Sequence, residues 1–157
     1  MVGWFDSKPV ISILGRKDAC IRDPNYIINE SEFISCMNQI LYIDTQYLFF
    51  LDIYDQPTTK IGVFIEYSSK MNEIKKEYVA LNIHNELMKI NQNYSLVNFS
   101  LESSEIPINV YFVETNAFLG WTLLRVANSG MKSTNQIKLP RVALSDEAIQ
   151  YFFSKVK

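Results

Sequence analysis

Gln46–Tyr67, QYLFFLDIYDQPTTKIGVFIEY, is the stretch whose reading decides the fold. Its two flanks, Gln46 to Tyr54 and Lys60 to Tyr67, are rich in aromatic and branched apolar residues, which fit a pleated, buried surface better than a helix. Between them, Asp55-Gln56-Pro57-Thr58-Thr59 has the proline and small polar residues of a hairpin connection. Two antiparallel strands are predicted, and the remaining elements must arrange around the sheet they begin.

Working outward toward the N-terminus, Asn29 offers a helix cap with Glu32 in capping-box position. Phe33, Ile34, Met37, Ile40 and Leu41 then recur at helical spacing, which predicts a helix over about 30–41. Before it, Pro9 to Gly15 reads as a strand ending in a turn that presents Arg16, Lys17 and Asp18. Toward the C-terminus, Ser69 is placed to cap a long helix with a stripe of Met71, Ile74, Tyr78, Leu81, His84 or Asn85, and Met88, ending near Ile90 to Asn93. Tyr94 to Phe99 and Ile108 to Val113 read as strands, the second preceded by Pro107, where a missing donor costs little. A further helix is expected over 116–128, with Phe118, Trp121, Leu124 and Arg125 on one face and Gly130 as its left-handed cap. Residues 131–144 read as loop or extended. Ser145-Asp146-Glu147 opens the last helix, whose acids suit the helix dipole and whose Ile149, Phe152 and Phe153 face inward. The order β-α-β-β-α-β-β-α-α places the chain in the α+β class, with helices packed against one mixed β-sheet.

The chain has 157 residues, 48% apolar and 20% charged, and no low-complexity run divides it. A single domain over 1–157 with a core of its own is expected. A net charge of −2 excludes the basic stripe that nucleic-acid binding requires. The aromatic residues Tyr47, Phe49, Phe50, Tyr54, Phe64 and Tyr67 lack interleaved lysine and arginine, so sheet packing rather than base stacking accounts for them. No leader-like start and no apolar run of membrane-spanning length is present, and a cytoplasmic location is the expectation. Cys20, Cys36 and the single histidine, His84, do not have metal-site spacing. No metal site is expected. His84, with no nucleophile at catalytic spacing, reads as a core-edge histidine.

Two segments carry cations in places where chemistry could use them. Asn135-Gln136-Ile137-Lys138-Leu139-Pro140-Arg141 puts Lys138 on backbone that the following proline biases toward extended geometry. A lysine there can pair with an α-phosphate and stabilise the charge moving onto pyrophosphate, or it can be a solvated loop residue. Arg141 can position that loop by pairing with a carboxylate or carry a second phosphate contact. Gly15-Arg16-Lys17-Asp18 places two more cations on a turn, as a phosphate contact or a solvated hairpin tip. No glycine-rich phosphate loop accompanies them among the five scattered glycines, so a complete nucleotide site is not encoded here.

The Asn135–Arg141 stretch resembles the N-Q-[YF]-K-x-P-R signature near the C-terminus of the auxin-responsive Gretchen Hagen family, the ATP-dependent acyl-acid amido synthetases of plants and bacteria. Val2-Gly3-Trp4-Phe5-Asp6-Ser7-Lys8-Pro9 is similar to the V-x-G-[FW]-[HY]-N-x-x-P that follows the nucleotide-ribose motif at the end of that family's large domain. Ile11 to Asp18 is similar to its F-x-x-R-R-K-N, and Asn29-Glu30-Ser31-Glu32-Phe33 to the acidic helix start that comes next. Ile108 to Val113 and the helix after it are similar to the closing strand and helix. Gly15 departs by replacing one arginine of a pair, and Asp6 stands where histidine or tyrosine is usual.

The resemblance implies the small C-terminal cap domain of an adenylate-forming enzyme, with the large N-terminal ATP-binding domain absent from this chain. It implies Lys138 as the catalytic lysine of the acyl-adenylate step and Ile137 at the place of its aromatic neighbour. Arg141, Arg16 and Lys17 are then further phosphate contacts, and Asn135, Gln136 and Pro140 position the loop. ATP with Mg would be held mainly by the large domain, supplied in cis or in trans. The acid and amine substrates are small molecules, and the isolated chain is expected to be inactive. Two other readings are a non-enzymatic interaction domain derived from the same fold and the cap of an acyl-CoA ligase.

Overall fold

The computed structural model describes residues 2–5, 8–11, 19–40, 45–52, 60–68, 74–100, 105–129, 141–143 and 145–157. In chain order the elements are β1 (Val2–Phe5), β2 (Lys8–Ile11), β3 (Cys20–Arg22), β4 (Ile27–Asn29), α1 (Glu30–Ile40), β5 (Tyr47–Asp52), β6 (Lys60–Glu66), α2 (Lys76–Ile90), α3 (Gln92–Asn98), β7 (Ile108–Val113), α4 (Ala117–Ser129) and α5 (Asp146–Phe153).

The strands β5 and β6 pair antiparallel, with Phe50 opposite Gly62, and β6 pairs parallel with β7, with Phe64 opposite Tyr111. Single bridges lengthen the sheet at both edges, Val142 parallel to Phe49 and Val156 antiparallel to Val113. Because side chains alternate along a strand, Phe49, Val63 and Val110 enter the larger core, which also holds Phe33 and Met37 of α1 and Ile83 and Leu87 of α2. Leu48, Phe50 and Phe64 enter a second core with Phe118 and Trp121 of α4 and Phe152 of α5. Coverage on both faces explains why β5 and β6 read as nearly unbroken apolar runs. The expected α+β class with a mixed sheet is the class observed.

The element order departs from the expected string at three places. Val2–Phe5, not expected as a strand, pairs antiparallel with Lys8–Ile11 in a hairpin of its own. Cys20–Arg22 and Ile27–Asn29 form a hairpin before α1, closed by a turn in which Asp23 N–H donates to Tyr26 O at 3.0 Å and Asn25 N–H to Asp23 Oδ1 at 2.9 Å. Tyr94 to Asn98, expected as strand, lies in the short helix α3. The reason is Asn91: α2 ends beside it, and its Oδ1 accepts the Tyr94 N–H at 2.8 Å, so one side chain starts a second helix. Elsewhere the reading matches more closely. The capping pair forms, with Asn29 N–H donating to Glu32 Oε2 at 2.7 Å, and Ser145 caps α5 by accepting the Ala148 N–H. The helix α2 starts at Lys76 with no side-chain cap, later than expected; Ser69 and Met71 lie outside the described residues, as do Gly130 and the hairpin tip 53–59. On α4, Phe118 and Trp121 are buried, while Leu124 and Arg125 face out.

Buried polar groups tie the helices together. Asn91 Nδ2 donates to Ile27 O at 2.8 Å and to Glu32 Oε1 at 3.0 Å, which joins α3 to β4 and α1. His84 of α2 is buried, its Nδ1 2.9 Å from the hydroxyl of the fully buried Tyr94. Burial depresses the His84 pKa and raises that of the Tyr94 phenol. On the other sheet face the fully buried Asp52 carboxylate accepts from Tyr111 Oη at 2.7 Å and Asn109 Nδ2 at 3.0 Å.

Two outcomes follow. A Cβ added at Gly62 would lie 2.1 Å from Phe50 Cζ, so Gly62→Ala is expected to destabilise the fold by about 2 kcal/mol or more in urea unfolding, with partial recovery on adding Phe50→Leu; an unchanged midpoint would refute the ring-over-glycine packing. For His84 the folded state prefers the neutral ring. Above about pH 6.5 both states are neutral and stability is unaffected; as pH falls below that value, the unfolded chain takes up the proton first and stability drops toward the depressed folded pKa. Melting temperatures of wild type and His84→Gln should therefore diverge in pH dependence below about pH 6.5, the variant losing the histidine part of the decline.

Candidate functional site

Of the residues expected to carry chemistry, Arg16, Lys17, Asn135, Gln136, Ile137, Lys138 and Pro140 lie outside the described residues. Of the 135–141 stretch, Arg141 is described. Phe49 N–H donates to Arg141 O at 2.8 Å and Ala143 N–H to Phe49 O at 2.7 Å, so 141–143 runs beside β5 as an edge strand, with Val142 buried beneath it. The Arg141 N–H donates to Glu30 Oε1 at 2.7 Å, a carboxylate in the first turn of α1. The guanidinium donates through Nη1 to Gln46 Oε1 at 3.0 Å and lies 4.4 Å from the centroid of the Tyr47 ring.

Both expected roles of Arg141 concern its side chain, yet the carboxylate contact is made by its main chain. The side chain rests on an amide and an aromatic ring, which are neutral partners. Such an arrangement holds a guanidinium in place by geometry and cation–π attraction while leaving its charge for an anion. Burial raises the pKa of the Tyr47 phenol, and Arg141 opposes that shift. The ring stays protonated at neutral pH and serves as a platform.

Glu30 has a second partner. Its own N–H donates to the carbonyl of Ala19 at 2.9 Å, and Ala19 is buried. Ala19 directly follows Asp18 in sequence, and Arg141 follows Lys138 by three positions. One residue therefore bonds the main chain at both Ala19 and Arg141. Sequence reading placed Glu30 in an acidic helix start but gave it no role; nothing in its spacing links positions 30 and 141, since the contact is made by tertiary structure.

Other reactive side chains are committed elsewhere. His84 is paired with Tyr94 in the larger core. The Cys36 thiol is buried, donates to Ile83 O at 3.6 Å and is pushed up to about 12, first by burial and then by Glu86, so it is not a thiolate nucleophile at neutral pH. Among the described residues no three His, Cys, Asp or Glu side chains come together as a metal site, and no helix is long and apolar enough to cross a membrane.

No protein-family model matches the sequence, and no curated protein matches it. Solved structures do. A structure of GH3.15 acyl acid amido synthetase superposes with a TM-score of 0.68 at 17% identity over 99% of this chain and 28% of that one. A structure described as AtGH3.15 acyl acid amido synthetase in complex with 2,4-DB superposes with a TM-score of 0.58 at 16% identity, again over 99% of this chain and 28% of that one. The likeness establishes the fold. The chain spans 28% of the length of the solved proteins that it matches.

Proposed function

We propose that this chain is the C-terminal cap domain of an ATP-dependent acyl-acid amido synthetase. In this reading it supplies Lys138 to the acyl-adenylate step and closes over the site for amide formation with an amino acid. The observation that carries the proposal is that nearly the whole chain has the fold of one part of a much larger acyl acid amido synthetase. The N-Q-I-K-L-P-R stretch agrees with it independently.

The chemistry follows from the residue types. When a carboxylate attacks the α-phosphate of ATP, negative charge builds on the phosphate oxygens and on the departing pyrophosphate. A lysine brought to that phosphate lowers the barrier to the extent that it is already in place when the charge develops. By the resemblance, Ile137 stands at the place of an aromatic neighbour, Asn135, Gln136 and Pro140 are the loop-positioning residues, and Arg16 and Lys17 are further phosphate contacts. Arg141, seated on Gln46 and Tyr47, anchors the loop and keeps a charge that a phosphate can use. A large adenylating domain, in cis or in trans, holds ATP with Mg and the acid, and this chain closes on it, excluding water. By itself the chain adenylates nothing.

The test is ATP-dependent adenylation and amide formation by the chain together with a large adenylating domain of this fold, comparing wild type with Lys138→Ala. Loss of a preorganised charge contact of ~3 kcal/mol is expected to slow adenylation by roughly a hundredfold or more. An unchanged rate would remove Lys138 from the mechanism, and pyrophosphate exchange by the isolated chain would remove the need for the large domain.

A further inference from the structure

Three cations rest on aromatic rings at one end of the sheet, and two of them have no part in the readings above. The Arg141 guanidinium lies 4.4 Å from the centroid of the Tyr47 ring, Lys157 Nζ 4.2 Å from that of Tyr67, and Lys76 Nζ 5.7 Å from that of Phe112. Strand register puts the three rings side by side. Tyr47 pairs with Ile65 across β5 and β6, and Ile65 pairs with Phe112 across β6 and β7, so Tyr47 and Phe112 are the two ends of one row on the larger-core face. Tyr67 comes two residues after Ile65 and packs on the same face, its ring 6.2 Å from that of Phe112. Neighbouring strands lie about 4.8 Å apart, so the row spans roughly 10 Å. The ring under Lys157 follows the middle strand, and those under Arg141 and Lys76 belong to the outer two.

Lys76 and Arg141 are half-buried, and the sheet holds two of the three cations by their main chains. Arg141 O accepts the Phe49 N–H at 2.8 Å, and Lys157 N–H donates to Phe112 O at 3.0 Å. Long cationic side chains commonly cover apolar edges with their stems, and that role accounts for the stems here. It does not account for the charges. The chain has 17 acidic residues, yet the ion pairs among the described residues are Lys89–Glu86 and Lys155–Glu114, and neither includes one of the three. Glu30 accepts the main-chain N–H of Arg141 rather than its guanidinium. Glu66, at the end of β6, accepts the Phe118 N–H at 3.2 Å, on the side of the smaller core. This end of the sheet is also where the parallel pair β6–β7 presents its carboxyl ends, the side on which open α/β sheets take their ligands.

We propose that Lys76, Arg141 and Lys157 form a binding site for a polyphosphate chain. Three like charges held this close repel one another, and a multiply charged anion among them converts that repulsion into attraction. Guanidinium takes phosphate oxygens through paired N–H groups and ammonium takes them as a point charge. A chain of two or three phosphates meets more than one of these cations at once, which a single phosphate cannot do. The inference shares Arg141 with the proposed function and does not rest on it, because the binding is that of this chain by itself.

The experiment titrates inorganic triphosphate into the full chain at low ionic strength and follows the amide NMR signals, with orthophosphate, ATP and AMP as comparisons. Triphosphate is expected to bind about tenfold or more tightly than orthophosphate, and less tightly as salt is raised. Lys76→Gln, Arg141→Gln and Lys157→Gln should each weaken it by about fivefold, the loss of one unit charge at contact distance in water. Lys89→Gln, which alters a lysine paired with Glu86 in the last turn of α2, should stay within about twofold. Lys76→Arg and Lys157→Arg keep the charge and should also stay within about twofold, which separates lost charge from lost fold. ATP is expected to bind like triphosphate, and AMP no better than orthophosphate. Amide signals that ignore triphosphate in the millimolar range would overturn the proposal. So would a loss in Lys89→Gln equal to that in the three, Arg variants as weak as the Gln ones, or AMP binding as tight as ATP. Adenylation by Lys138→Ala tests the proposed function and triphosphate binding tests this site, so either can fail while the other stands.

Discussion

Packing of β6 from both sides is the constraint on which the rest of the structure depends. Ile61, Val63 and Ile65 face the larger core and Phe64 the smaller one, all of them fully buried. Fully burying one such side chain is worth about 1.5–3 kcal/mol, so helices on only one face would leave several of these contributions unrealised. The two cores are fitted to each other through the strand. Gly62 leaves a space on the smaller-core side, the Phe50 ring occupies it, and that ring stacks at 4.5 Å on Phe64. A one-residue slip of β6 against β5 would turn Phe64 to the face opposite Phe50 and bring a side chain under the Phe50 ring. Register, helix placement and the aromatic stack are thus one constraint seen at three scales.

Apolar packing of this kind fixes layers but leaves the ends of elements free, and the ends are set by a few polar groups. The start of α1 gathers them. Glu32 accepts the Asn29 N–H through one oxygen and the Asn91 amide through the other. Glu30, two residues earlier, holds Ala19 and Arg141. Acids in a first helical turn are favoured by the helix dipole in any case. Here that local preference coincides with bonds to Ala19, the α2–α3 junction and the edge strand at Val142, so the N-terminus of α1 acts as a fixed point for segments far apart in sequence.

What the sequence made legible tracks the range of the interactions involved. The pairing of β5 with β6, the Asn29–Glu32 cap and the Ser145 cap depend on neighbours within a few residues or on runs of like chemistry, and all were readable. The Cys20–Asn29 hairpin carried a signal in Asp23-Pro24-Asn25, whose side-chain and main-chain bonds close the turn; three-residue strands gave too little apolar pattern to draw attention to it. The stretch Tyr94 to Asn98 was misread as a strand because an aromatic and a branched residue outweighed one asparagine. Asn91 prevails in the structure because its amide satisfies two acceptors and a helix-start donor together. The buried Asp52 with Asn109 and Tyr111 and the Glu30–Arg141 bond were illegible for the same reason: each joins residues more than fifty positions apart, and no periodicity encodes such a pair.

The position of Arg141 bears on why a lysine rather than this arginine is the better candidate for transition-state charge. A guanidinium that donates to Gln46 and lies over Tyr47, on a main chain bonded to both Phe49 and Glu30, is held from four directions. Its rigidity suits it to define a location. A group that must meet a phosphate only after another domain has closed needs reach, and lysine has a compact charge on a flexible four-carbon stem. Two residues, Leu139 and Pro140, separate the arginine from the lysine, and a proline restricts its own φ and the residue before it. Under the proposed function, a charge that must reach a substrate held by another domain needs an anchor fixed in this way, because an error at the anchor would be carried in full to the charge.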